Sequence, residues 1–292
     1  MIKESKGRIV FNIFNILILS LLAIVTIYPF LHVLFASFSD PIKFASYNGI
    51  MLKPVGFSLE GYKAVLERKD IYTGYANTLF YVVAGTGINM IFTVSLAYAL
   101  SRQNLYWGKF LMIMVIITMY FGGGLIPTYL LVRGMGLTNT RWAIILPSAI
   151  STFNLIIMKS AFETIPVSLE EAAKIDGASP YTIMYKIILP LSLPTIAVIV
   201  LYYAVAHWNS WFSAMIYLRK QELYPLQLVL RAILRGNDTG GMLINTQSAD
   251  KQALNEILKY STIIVSIVPI LILYPFLQKY FTKGVMIGAV KG

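Results

Sequence analysis

The chain has 292 residues, 57% hydrophobic and 13% charged, with a formal net charge of +11 and no cysteine. A soluble domain is roughly half apolar with about twice this share of charge, so an ordinary soluble globular protein is excluded. The missing cysteines exclude a disulfide framework, a thiolate metal centre and a cysteine nucleophile, and the basic residues form no long tract, which turns the charge away from nucleic acid and toward the loops of a membrane protein.

Lys3, Lys6 and Arg8 precede an apolar run over residues 9–38. The run is too long for the apolar core of a secretory signal and lacks a small-residue cleavage site. It reads as a first transmembrane helix with its N-terminus in the cytoplasm, and Pro29 is expected to kink it. Residues 39–72 are mixed polar and read as an extracytoplasmic loop, in which Ser58 is placed to cap a short amphipathic helix over 59–68. Five further apolar spans are expected at 73–100, 110–131, 140–160, 190–217 and 260–280, each near the roughly 20 residues that cross a bilayer core. Six spans put both termini on one side. With the N-terminus inside, 11 of the 24 Lys and Arg fall inside and 13 outside, so the orientation rests on the flanks of the first helix. Gly85 and Gly87 are small enough for close helix approach. Gly122, Gly123 and Gly124 with Pro127 mark either a distortion beside a translocation path or ordinary close packing.

The most polar long interruption of the second half is 163–194. Ser168 and Glu171 have the spacing of a capping box, followed by a short helix over 169–176. Gly177 stands where a helix stops, since glycine enters the left-handed region without a Cβ penalty. Ser179 and Pro180 fit an N-cap and first helical position, and the second helix should run to about 189. Ala172 and Ala173 leave a flat surface that another backbone can approach, with Glu171 at its edge. The alternative is an amphipathic loop lying on the membrane. The segment 218–259 is expected to be a longer loop, with flexible glycines at 236–241.

Much chemistry is missing. All 13 acidic residues lie outside the expected spans, and a proton-coupled carrier needs an ionisable relay in the membrane. No GxxxxGK[ST], HExxH or GxSxG occurs. His32 and His207 stand alone and read as packed or hydrogen-bonded side chains, with no metal site. This pattern points to a subunit that conducts while a partner supplies energy; a self-sufficient secondary, ion-coupled transporter is the alternative.

Glu171-Ala172-Ala173, Gly177, Ile187, Leu189 and Pro190 resemble the EAA loop of ABC-importer permeases. Asn77-Thr78, AYALSR at 97–102, GLTNT at 136–140, IILP at 144–147, AHWNS at 206–210 and KGVMIGAVKG at 283–292 are similar to carbohydrate-uptake, maltose-G-like permeases, most of all to Gram-positive permeases for oligosaccharides or polysaccharide fragments. The resemblance implies an all-α, polytopic membrane protein with six transmembrane helices, the type I ABC-importer transmembrane domain. It divides the chain into 1–72, a permease core at 73–281 containing the 163–194 loop, and a cytoplasmic tail at 282–292. It further implies a bacterial cytoplasmic membrane location with both termini inside, a second homologous permease, two ATPase subunits that bind ATP and Mg, and an extracytoplasmic sugar-binding protein. On this resemblance the chain itself would bind no cofactor or metal and would be no enzyme. Glu170, Glu171, Ala172, Ala173, Lys174, Ile175, Asp176 and Gly177 would meet the ATPase; Ala289, Val290, Lys291 and Gly292 would reach it from the tail. Tyr120, Phe121, Trp208, Asn209, Trp211 and Phe212 have the aromatic faces and amide that bind sugars, although such stripes also serve as packing or as an interfacial belt.

Overall fold

The structure, a computed structural model, describes residues 6–102, 105–236 and 249–289, with side chains at all of these except 249–251 and 273–289. Helix α1 (Lys6–Ser37) is apolar on every face and mostly exposed as far as Phe30, with 31–37 half-buried or buried, as suits a helix whose surroundings are largely lipid or another chain. It runs unbroken through Pro29. Asp40 caps α2 (Pro41–Ala45), accepting from the backbone N–H of Ile42 and Lys43. The expected amphipathic helix is present as α3 (Glu60–Leu66), but Leu59 holds the N-cap position; Ser58 Oγ accepts instead from the N–H of Glu60 at 3.2 Å.

The second span joins α4 (Lys69–Phe80), a π-turn at Tyr81–Gly85 and α5 (Thr86–Ser101) into one helix. The third and fourth spans, expected to be continuous, are broken, and the fifth is entered through a bend close to where the second loop helix is expected to stop before Pro190 and Pro194. In the third, α6 (Gly108–Tyr120) and α7 (Leu125–Gly134) meet at 115°. In the fourth, α8 (Trp142–Ile145) with its 3-10 turn meets α9 (Thr152–Glu163) at 50°. After α10 (Val167–Ile175), the fifth bends by 86° between the stretch Pro180–Leu191 and α13 (Leu193–Trp208). That stretch comprises α11 (Pro180–Ile183), a second π-turn and α12 (Leu189–Leu191). The breaks fall at the triple glycine, just after Pro147, and between Pro190 and Pro194, where glycine or proline withdraws a constraint or a donor. Gly124 takes φ +83°, and a Cβ on Gly122 or Gly124 would meet nothing within 4 Å. Of the two readings of the triple glycine, the structure therefore shows a distortion. The expected span 190–217 also divides at Asn209, since α14 (Phe212–Tyr217) is a separate helix. The segment read as a loop carries the amphipathic helix α15 (Leu226–Leu234), whose Leu226, Leu228, Val229 and Ile233 are buried. Last comes α16 (Ala249–Ala289), within which Gln252–Ile272 qualifies as a span. With each bent pair taken as one span, up to six stretches among the described residues are long and apolar enough to cross a membrane. No strand occurs among the described residues, only an isolated bridge between Ser39 and Phe57.

The chain forms two compact units. In the first, residues 1–69 with 232–269, Ser261 Oγ donates to the carbonyl of Ser37, and Ser37 Oγ bonds Tyr62 Oη at 2.8 Å. His32 packs between Tyr28 and Tyr260, as expected of a lone histidine. In the second, residues 70–231 with 270–292, α5, α9 and α13 bury Ala97, Leu100, Leu155, Met158, Phe162 and Ile199 together. Lipid is as apolar as leucine, so close packing rather than water exclusion holds such helices.

Polar bonds fix one corner of this unit. Asn77 Nδ2 donates to the carbonyls of Glu222 (2.7 Å) and Tyr224 (3.1 Å), and its Oδ1 accepts from Arg141 Nη2 at 3.0 Å. Thr78 Oγ1 accepts from the N–H of Leu226 at 2.8 Å. The strap 222–226 is thereby fastened to the start of the second span. Asn77→Leu removes three hydrogen bonds, and at about 0.5–1.5 kcal/mol for each should lower stability by about 3 kcal/mol. A melting temperature in detergent equal to wild type would show that the strap is held elsewhere.

Candidate functional site

Helix α9 ends at Glu163 and α10 begins directly after Pro166, which occupies the N-cap position with φ −56° and ψ 129° and provides no side-chain cap. The expected capping box is therefore absent: proline starts the helix two residues before the serine, and Ser168 falls inside the first turn. The far end matches expectation. Gly177 takes φ +79°, its N–H donates to the carbonyl of Lys174 at 3.0 Å, and the N–H of Ala178 donates to that of Ala173 at 2.9 Å. These two bonds are a Schellman closure, which needs a residue at positive φ. Ser179 then caps α11, accepting from the N–H of Thr182 at 3.2 Å, with Pro180 in the first position.

Glu171, Ala172, Lys174, Ile175, Asp176 and Gly177 are exposed and Ala173 is half-buried. Ile175 is 86% exposed, with Val167 and Leu169 also uncovered. Glu170 departs from the expectation: it is 6% exposed and faces the chain's own interior. Its carboxylate pairs with Arg102 and, at 3.0 Å, with Lys174 Nζ. Arg102 Nη2 also donates to the carbonyl of Phe162 at 3.3 Å and to Ser101 Oγ at 3.0 Å. Burial alone would raise the Glu170 pKa, but the hydrogen bonds and charges of Lys174 and Arg102 outweigh it and hold the carboxyl below its ordinary 4.5. The folded value lies below the unfolded one, so the pair's contribution is complete above pH 4.5 and is lost as acid carries the pH down through the folded value.

The residues expected on a sugar pathway separate into three groups. Asn209, Trp211 and Phe212 line a cavity of about 590 Å³ between the break of the fourth span and the turn after α13. Trp208 is buried edge-on to Tyr75, with its indole Nε1 lacking a partner. Tyr120 and Phe121 are exposed beside the triple glycine and do not line that cavity. The Arg231 guanidinium lies 3.5 Å over the Trp211 ring.

Sequence reading missed the cavity's polar wall, formed by Ser148, Ser151, Asn154, Tyr203 and His207. Asn89 Nδ2 donates to the Ser148 carbonyl at 2.6 Å, so its Oδ1 accepts from His207 Nε2 at 2.7 Å. That assignment places the imidazole proton on Nε2. The N–H of Ser151 donates to Tyr203 Oη at 3.0 Å, which in turn bonds Thr93 Oγ1 at 2.7 Å. One backbone group on each side of the break, the Ser148 carbonyl and the Ser151 N–H, is thus satisfied by a side chain of a neighbouring span, as irregular backbone at membrane depth requires. The available signal was two serines flanking a short break just after Pro147. Of the tail residues, Ala289 ends α16, and Val290, Lys291 and Gly292 lie outside the described residues.

Residues 4–287 match the family model described as binding-protein-dependent transport system inner membrane component. The chain belongs to that family. Within it, the permease is 41% identical over 284 residues to the polygalacturonan/rhamnogalacturonan transport system permease protein YtcP of Bacillus subtilis, covering 96% of this chain and 99% of the relative. It is 40% identical to protein LplC of the same organism, over 99% and 97% of the two chains. Among solved structures, a chain of a bacterial ABC transporter involved in the import of the acidic polysaccharide alginate superposes with a TM-score of 0.88 at 34% identity, covering 96% and 100%. The permease is therefore a non-catalytic, multi-pass membrane component of a binding-protein-dependent ABC importer.

Proposed function

We propose that this permease forms half of the pathway of an ATP-driven oligosaccharide importer in the bacterial cell membrane, with both termini in the cytoplasm. A second permease completes the pathway, two ATPase subunits carry ATP and Mg, and an extracytoplasmic protein delivers the sugar. The observation that carries this reading is α10, a short helix closed rigidly at Gly177 that offers Ala172, Ile175 and Glu171 to a partner. ATP-driven closure of the ATPase pair would push on that face and so bias the spans between inward and outward states. On the other side, Asn209, Trp211 and Phe212 supply amide and aromatic faces for a sugar. The polygalacturonan and alginate names of its relatives favour a carboxylated oligosaccharide.

The test is uptake of labelled uronate oligomers into proteoliposomes that contain the complete assembly. Uptake should require ATP and the binding protein. Uptake by this chain alone on an ion gradient would overturn the reading in favour of a secondary transporter. Glu171→Lys reverses a charge on the exposed face of α10 and is expected to reduce co-purification of the ATPase by about tenfold, the effect of roughly 1.4 kcal/mol at an interface. Wild-type retention would show that this carboxylate is not used in docking.

A further inference from the structure

The face of α10 turned away from the proposed ATPase is held by unusual means. Of its residues only Ala173 packs against the apolar core, and a methyl group gives little grip. The directional hold comes from Arg102, at the end of the second span. Its Nε and Nη2 donate to Ser101 Oγ at 3.1 and 3.0 Å, Nη2 reaches the Phe162 carbonyl at the end of α9, and Nη1 pairs with Glu170 of α10. The guanidinium lies 5.0 Å from the Tyr98 ring centroid, and Lys174 fixes the second oxygen of Glu170. One side chain therefore ties the ends of α5, α9 and α10. A planar fork satisfied on three sides is a stiff connection, which lysine cannot copy.

We propose that Arg102 and Glu170 form an ion-paired strut that makes the docking helix move as one body with the ends of the second and fourth spans. Arg102 is a positioning residue for energy coupling, and Glu170 faces the permease's own spans rather than the ATPase. The inference rests on the reading of α10 as the docking helix. It adds a mechanical route: the fourth span, pulled at its α9 end, carries at its other end the break that lines the cavity.

The experiment compares Arg102→Gln, Glu170→Gln and the double variant in the complete reconstituted assembly, reading ATPase co-purification, ATP hydrolysis and uptake per ATP. Each single variant should retain the ATPase while uptake per ATP falls about fivefold or more, within the range of coupling effects seen between distant sites. The double variant should fall by the same factor, because a pair acting as a unit is lost once. A wild-type ratio in either single variant, or losses that multiply in the double, overturns the strut. Loss of the ATPase from Glu170→Gln, with a normal ratio in what remains, also overturns it and makes Glu170 a contact. Failure of the docking reading itself shows differently, as a wild-type permease that does not retain the ATPase. Because the chain has no cysteine, Arg102→Cys with Glu170→Cys can be joined by a short bismaleimide in otherwise cysteine-free subunits. Linking should restore uptake per ATP relative to the unlinked pair, whereas a link that lowers it further overturns one-body motion.

Discussion

Gly177→Val is expected to abolish uptake while Gly177→Asn keeps most of it. Gly177 holds φ +79°, and a Cβ there would meet nothing within 4 Å. Size is therefore not at issue, and the two variants separate backbone conformation from bulk. The left-handed region costs an ordinary L-residue about 1–2 kcal/mol; asparagine tolerates it, and a β-branched residue is a genuine outlier there. If valine leaves that region, the bonds from Gly177 to Lys174 and from Ala178 to Ala173 both open. The direction from α10 into α11 is then no longer set, and the outer face of α10 loses its fixed presentation. A cost near 3 kcal/mol, at a factor of ten for each 1.4 kcal/mol, leaves about one molecule in a hundred with the native turn. Uptake should fall by more than about tenfold in the valine variant and by less than about threefold in the asparagine variant. Equal uptake by the two would show that the left-handed turn is dispensable.

The same loop shows what the sequence could and could not tell. Gly177, Ser179 and Pro180 act through their own backbone preferences, which are local, so the turn and the second cap were legible. Ser168 and Glu171 also had a local pattern, yet Pro166 pre-empted it by starting the helix earlier. Glu170 and Glu171 are adjacent and chemically alike in sequence. Only the fold separates them, because Arg102 arrives from 68 residues away to claim one and leave the other exposed. The apolar spans were visible by length, and their breaks less so. Gly122–Gly124 announced one and Pro190 with Pro194 the end of the second loop helix, while Pro147 looked compatible with a kinked but continuous helix. The polar wall of the cavity was invisible for the same reason as the strut. Asn89, Ser148, Tyr203 and His207 are scattered single polar residues until three spans bring them together.

Gly85 and Gly87 look equivalent in the sequence and are expected to behave oppositely. A Cβ on Gly85 would stand 2.5, 2.6 and 2.9 Å from three atoms of the His207 ring, whereas one on Gly87 meets nothing within 4 Å. Gly87→Ala should be neutral or raise the melting temperature, since alanine is the better helix former by about 0.8–1 kcal/mol. Gly85→Ala must displace a buried ring that is bound to Asn89 Oδ1 at 2.7 Å. Overpacking costs about 1–3 kcal/mol, and a membrane hydrogen bond adds about 0.6–1.7 kcal/mol, so a total near 3 kcal/mol is expected. The loss should extend to uptake, because the same Asn89 amide holds the Ser148 carbonyl at the break of the fourth span. Adding His207→Ala to Gly85→Ala removes the collision but leaves Asn89 Oδ1 without its donor. The double variant should therefore recover the overpacking part of the stability and not the hydrogen-bond part. Gly85→Ala melting as wild type would mean that the histidine ring has room to move. In that case the second and fifth spans do not clamp the break through this contact.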